Sequence, residues 1–461
     1  MSRGRVWASL PSLLLASGCF YSFSYLDAGL GTSSTSSGST GSGGSSSSAS
    51  GSTGGTPTGS GSTGAGSSGA GSTGSGSSSG SVTSLCAPPL DAGWPLQCTA
   101  AMGLLSLTEP AGDLAAVPID GGFLIAVVAP RAANVSDAPL AFLLSQDGGF
   151  WEGQGDGVST VAATNSVALA PPYGASPATL LAGVQNTFDG TVDQLVCAAP
   201  FSGSGTGPFQ FFDSMGNAAV VDEVRLARGP DGTLAFVVAD LEGQGYPVGW
   251  GLGSAGGGCP SSSSALPALT GPLAAATPND SAIAPYGSGQ FVIAEAYANF
   301  AAGNDVVALF SVPSGSAIAT PATFGFGAAP QVAVASDGTH VAVLASDINA
   351  GVLLFGLDGG ALQPLATLST ATGSALSATS CGEDCALLGW TETSTSSAGT
   401  SFTPKYAVVN GAGCGAVTSF PSFTGSAPAP VVVADAPGVA VFVYGDNSGG
   451  AYQLEAALCI P

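Results

Sequence analysis

The sequence predicts an all-β domain assembled from one repeated unit, and three observations carry that reading. Helical windows are almost absent, because 71 glycines and 31 prolines interrupt the chain and only six Lys and Arg residues are present. From about residue 114, short apolar runs such as Phe123 to Val128, Leu234 to Val238, Phe291 to Ala294, Val341 to Ala345 and Val439 to Tyr444 stand between turn residues. Runs of that length, rich in Val, Leu, Ile and Phe, read as strands buried on both faces. The turns ahead of these runs recur at roughly 50 residues: Asp120-Gly121-Gly122, Gly174-Ala175-Ser176, Asp231-Gly232, Gly287-Ser288-Gly289, Asp337-Gly338, Gly382-Glu383-Asp384 and Pro437-Gly438. With about four strands per unit, this spacing predicts a seven-bladed β-propeller, a ring that leaves no open sheet edge. Six or eight blades, or a pair of β-sandwiches, are the alternatives, and the even spacing favours the ring.

Each element has its own support. Third strands follow at Leu140 to Leu144, Leu195 to Cys197, Val306 to Val312, Val352 to Leu357, Tyr406 to Val409 and Tyr452 to Leu458. The last unit stops after its third strand, whereas Ala100 to Leu107 lies unclaimed ahead of the first unit. This N-terminal strand is expected to complete the last blade. Ser145-Gln146-Asp147-Gly148-Gly149-Phe150-Trp151 resembles a shortened Asp-box of sialidase-like propellers. The resemblance implies a structural turn between third and fourth strands, and no chemistry.

The first 18 residues read as an export signal: Arg3 and Arg5, an apolar stretch from Val6 to Leu15, then Ala16-Ser17-Gly18 before Cys19. Leu15-Ala16-Ser17-Gly18-Cys19 resembles the lipobox of bacterial lipoproteins, with Ala16 where Leu is commonest. That resemblance implies cleavage before Cys19, acylation of Cys19 with palmitate-type chains, and, with Phe20 following, the outer membrane, facing the periplasm or the cell surface. Residues 19 to 30 are the lipidated segment, and residues 31 to 84 are a linker rich in Gly, Ser and Thr. A linker of this composition buries nothing, is expected to be disordered, and spans about 40 Å root-mean-square. Residues 85 to 461 form the propeller domain.

Beyond the signal only Arg131, Arg225, Arg228 and Lys405 oppose 29 carboxylates. Nucleic acid is excluded as a partner, because it demands clustered cations. No apolar run is long enough to span a bilayer, so the lipid is the expected membrane attachment.

Nine cysteines leave eight once Cys19 is set aside: Cys86, Cys98, Cys197, Cys259, Cys381, Cys385, Cys414 and Cys459. An even remainder in an exported chain points to disulfides. Cys98 would meet Cys459 if the ring closes as described, with Cys86 to Cys98 as the competing local pair. Cys381 with Cys385, flanking a turn, is the expected short bridge. No metal site or cofactor is expected, since paired Cys spacings are missing and His340 is the sole histidine.

Asp137, Asp189, Asp240, Glu242, Asp305, Asp347, Glu392 and Asp446 fall where second strands pass to third strands. In a propeller these would ring one mouth of the channel and suit a cation or a basic partner. The sequence thus favours a monomeric, non-enzymatic binding or scaffold protein for a protein or glycan partner, displayed from the outer membrane. A propeller hydrolase or lyase acting on polysaccharide or peptide is the alternative, weakened by the shortage of His and Arg.

Overall fold

In a computed structural model the chain is described from Leu96 to Ile460, apart from residues 108–110, 130–137, 146–149, 154–161, 177, 187–192, 199–209, 214–222, 240–247, 254–263, 326–328, 359, 383–384, 398, 411–412, 425–431, 437–438 and 448–451. The described strands pair into antiparallel sheets in a β-propeller arrangement, and the one helical element is the short turn Gly271–Leu273. The first sheet holds Leu114–Ile119, Gly122–Ala129, Ala138–Ser145 and Phe150–Gly153. The second runs Ala162–Ala170, Thr179–Asn186, Asp193–Ala198 and Gln210–Asp213. The third runs Glu223–Arg228, Leu234–Ala239, Gly249–Leu252 and Ser264–Ala265. Thr277–Pro285, Phe291–Asn299 and Asn304–Val312 build the fourth, with Ser316–Ala317 and Ala322–Phe324 beside them. Gln331–Ser336, Val341–Asp347, Gly351–Asp358 and Ala361–Ser369 make the fifth. The sixth centres on Gly373–Ser380, Cys385–Ser396 and Gly399–Asn410.

The last sheet joins the two ends of the described chain. Val432–Ala436, Val439–Asp446 and Tyr452–Ile460 come from the C-terminal side, and Met102–Leu107 and Gln97–Cys98 pair with Tyr452–Ile460 from the N-terminal side. The unclaimed strand ahead of the first unit therefore finds its place here. The register sets Cys98 opposite Cys459, and the two form a disulfide. A second disulfide joins Cys381 to Cys385 across the turn between two strands of the sixth sheet.

The core lies in the seams between successive sheets. Along Leu234–Ala239, Leu234, Phe236 and Val238 pack with Val224 and Leu181 toward the second sheet, while Ala235 and Val237 pack with Phe291 and Phe310 of the fourth. A strand buried on both faces must be apolar throughout, which is why these runs lack strand-type alternation. The seam between last and first sheets is filled the same way, by Val441, Val443 and Leu454 against Phe123 and Ile125.

Candidate functional site

The first strand of every sheet lines a central channel of about 730 Å³. These strands all begin at the channel end where second strands finish, as the pairings Leu114 with Val127, Glu223 with Ala239 and Gln331 with Ser346 establish. At that mouth, polar side chains tie inner strands to their neighbours at five of the seams. Asp113 Oδ2 accepts hydrogen bonds from Ser166 Oγ at 2.6 Å and from the Val167 amide at 3.0 Å. Ser166 Oγ in turn accepts the Val224 amide at 3.1 Å. Asp280 Oδ2 accepts the Val332 amide at 2.8 Å, Gln331 Oε1 the Ala375 amide at 2.7 Å, and Ser377 Oγ the Val433 amide at 3.1 Å. Inner strands have no strand partner on their channel side, so these side chains satisfy amides that would otherwise lack acceptors.

Local irregularity aims them. Register shifts fall between Thr164 and Ser166, between Pro278 and Asp280, and between Ser374 and Ser377, on the inner strands of the second, fourth and sixth sheets. A bulge turns a side chain away from the strand's regular alternation, here toward the neighbouring sheet. Ala375, within the last bulge, holds a left-handed φ of 52°.

Charge concentrates between the first and fourth sheets. Arg225 donates through Nη1 to Asp113 Oδ2 at 3.3 Å and to the Val224 carbonyl at 3.0 Å, and through Nη2 to Glu223 Oε1. Burial pushes the Glu223 carboxyl well above the usual carboxylate range; Arg225 pulls it down, and Asp280 and Asp113 push it up again. Burial likewise raises Asp280, against the Glu223 hydrogen bond, Arg225 and the Val332 and Ser281 amides. Burial alone would lower Arg225, but Glu223, Asp113 and Asp280 reverse the sign and keep the guanidinium charged. At the other end of the same strand Arg228 donates to Thr179 Oγ1 at 2.8 Å, and burial lowers its basicity.

The chemistry open to this arrangement is limited. Ser166 bonds Asp113 without a histidine: His340 lies beyond the opposite end of its sheet's inner strand, 61% exposed, with Nδ1 3.0 Å from Asp337 Oδ2. Among the described residues no group of three or more His, Cys, Asp or Glu side chains is placed to hold a metal ion. Glu223 and Asp280 are two buried carboxyls that hydrogen-bond one another, each raised by burial.

The sequence-derived positions fall elsewhere. Cys19, Cys86, Cys259, Asp137, Asp189, Asp240 and Glu242, with most of the Asp-box, lie outside the described residues, as do the side chains of Cys197 and Cys414. Asp305, Asp347 and Asp446 stand at second-to-third hairpins as expected, but the strands extend through them and they are buried. Asp347 Oδ1 caps its own hairpin, accepting the Asn349 and Ala350 amides. Glu392 sits within the long hairpin of the sixth sheet, bonded to Lys405 at 2.6 Å and approached by Trp390 Nε1 at 3.4 Å. Asp347 and Glu392 thus bond within their own hairpins, while Asp305 and Asp446 are buried at theirs. The residues that do converge, Asp113, Ser166, Glu223, Asp280, Gln331 and Ser377, share no residue type. Their common signal is a polar residue just before or within the start of an inner strand, one in each of the first six repeats.

Fold and channel together define the class: an all-β protein of the β-propeller kind. No family model and no characterised protein matches the chain. Solved structures similar to it include a polysaccharide lyase, ulvan lyase, at 9% identity over 78% of this chain and 96% of that one, with a TM-score of 0.48. The β-propeller domain of Cps50 (Swd1) from Myceliophteria thermophila is 11% identical over 78% and 99% of the two chains, TM-score 0.45. The Aleuria aurantia lectin in complex with α-methyl-L-fucoside is 12% identical over 70% and 99%, TM-score 0.43. At such identities the likeness concerns the fold alone.

Proposed function

We propose that this chain is a seven-bladed propeller acting as a binding or scaffold module, held on the outer membrane by lipid on Cys19 and set away from it by the Gly/Ser linker. The observation that carries the non-enzymatic reading is that the polar groups at the channel mouth are committed to joining one inner strand to the next. Seven sheets contribute a first strand each to the channel, which supports the blade count. The pairing of Gln97 with Ile460 brings the chain in at the face of the first turns, opposite the polar mouth. The polar mouth is the face we assign to a protein or glycan partner.

Labelled palmitate is expected to enter the protein and to vanish in Cys19→Ser; label that persists overturns the lipid anchor. Crosslinking on intact cells is expected to recover one defined partner with wild type and with Glu223→Gln alike. The Glu223 and Asp280 pair favours one other reading, a propeller hydrolase or lyase. Turnover of polysaccharide or peptide that Glu223→Gln abolishes would establish that reading instead.

A further inference from the structure

Three carboxyls meet where the third sheet packs against the fourth, with one guanidinium among them. Glu223 opens the inner strand of the third sheet and is 5% exposed. Asp280 stands just past the bulge on the inner strand of the fourth. Glu295, on the second strand of the fourth sheet, is fully buried and pairs in register with Ser281. It shares the side of its strand with Ile293 and Tyr297, which pack against Ala227, Val237 and Trp250 of the third sheet. Both oxygens of Glu295, Ser281 Oγ and Glu223 Oε2 are buried there without a hydrogen-bond partner.

The charges that face this cluster are few. The inner strand of the third sheet contributes Glu223 and Arg225, the approach to the first sheet Asp113, the inner strand of the fourth Asp280, and its second strand Glu295 with Tyr297. Arg225 is already engaged by Asp113 and Glu223, so among the described residues no cation remains for Glu295. A buried carboxylate with neither counterion nor donor is not sustained; it takes up a proton. The proton also supplies what the carboxylate oxygens lack, since ionised Glu295 and Glu223 only accept and the one hydroxyl beside them, Ser281 Oγ, makes no hydrogen bond there.

We propose that this seam is a proton-held joint: one proton shared by Glu223 and Asp280 and one on Glu295 keep the two sheets together at the channel mouth, and losing them parts the sheets there. The inference is independent of the lipid anchor and of any partner. Burial, reinforced by Asp280, pushes Glu295 well above the ordinary carboxylate range, in keeping with a proton retained in the closed seam. A carboxyl raised in the folded state favours the closed seam while it is protonated, and that advantage disappears as pH climbs through the folded value.

Hydrogen exchange on the full chain between about pH 5 and about pH 9, corrected for intrinsic exchange, reads the joint at Val224 to Arg228 and Ser281 to Pro285. Opening is expected to rise about tenfold per pH unit for each proton released, while Leu114–Ile119 of the first sheet stays level. Glu295→Gln, neutral at every pH, is expected to remove one proton from that slope and to slow opening at the alkaline end. Equal slopes in wild type and Glu295→Gln overturn the proposal. If Glu295→Gln does not fold, Glu223→Gln gives the same reading. A wild-type seam no more pH-dependent than the first sheet overturns the proposal without any variant.

Discussion

Asp435 shows how a single carboxyl registers its surroundings. It lies on the inner strand of the last sheet, among the residues that line the channel, and burial lifts its carboxyl to about 6. The folded chain holds this proton more tightly than the unfolded chain does, so ionising the group costs stability. That cost is absent below the unfolded value near 3.9 and is complete once pH has risen past about 6. Asp435→Asn is therefore expected to leave the melting curve unchanged near pH 3.5. Near pH 8 it should stabilise the protein by about 1 kcal/mol, the full shift being discounted because water reaches part of the group. A variant equally stable relative to wild type at both pH values would show that the channel is wetter at this point than its lining suggests.

At the scale of strands and turns, the two disulfides close loops of very different length. Cys98 and Cys459 are 361 residues apart, and Cys381 and Cys385 only 4. If cross-links act mainly on the unfolded chain, the long loop contributes about 6 kcal/mol and the short one about 2 kcal/mol. Cys98→Ser with Cys459→Ser is thus expected to lower the denaturant midpoint much further than Cys381→Ser with Cys385→Ser, and to steepen the slope as the unfolded chain is freed to expand. Cys381 with Cys385 was legible from the turn it flanks, whereas Cys98 with Cys459 was one of two pairings the sequence left open, and ring closure decides it. Strand ends were harder to read. The run beginning at Phe291 looks finished at Ala294 because Glu295 interrupts it, yet the strand continues to Asn299 with Glu295 buried. A carboxyl that is neutral in its seam does not obey the polarity its residue type suggests. The channel-mouth residues were illegible for another reason. Asp, Ser, Glu and Gln can each supply the same acceptor, so the repeat conserves a hydrogen bond and not a letter.

For the molecule as a whole, the apolar seams form a chain of neighbours that returns to its start, and the last seam is made of the two ends of the sequence. Leu104 belongs to the N-terminal strand and packs in the cluster that holds Phe123, Val441, Val443 and Leu454. In an open array of repeats, damage at one end frays that end and spares the rest. In a ring, the same damage exposes both faces of the broken seam and removes the constraint that joins the first sheet to the last. Leu104→Ala, which deletes buried methyl groups, is expected to cost about 3 kcal/mol and to shift a single cooperative transition. The calorimetric and van't Hoff enthalpies should then agree in the variant and in wild type alike. With Trp7, Trp94 and Trp151 replaced by Phe, emission from buried Trp250 and Trp390 in the third and sixth sheets should move with backbone circular dichroism although neither residue is near Leu104. An early, separate loss of the first and last sheets, with the tryptophans unaffected, would mean that the sheets behave as an open stack whose ends merely touch.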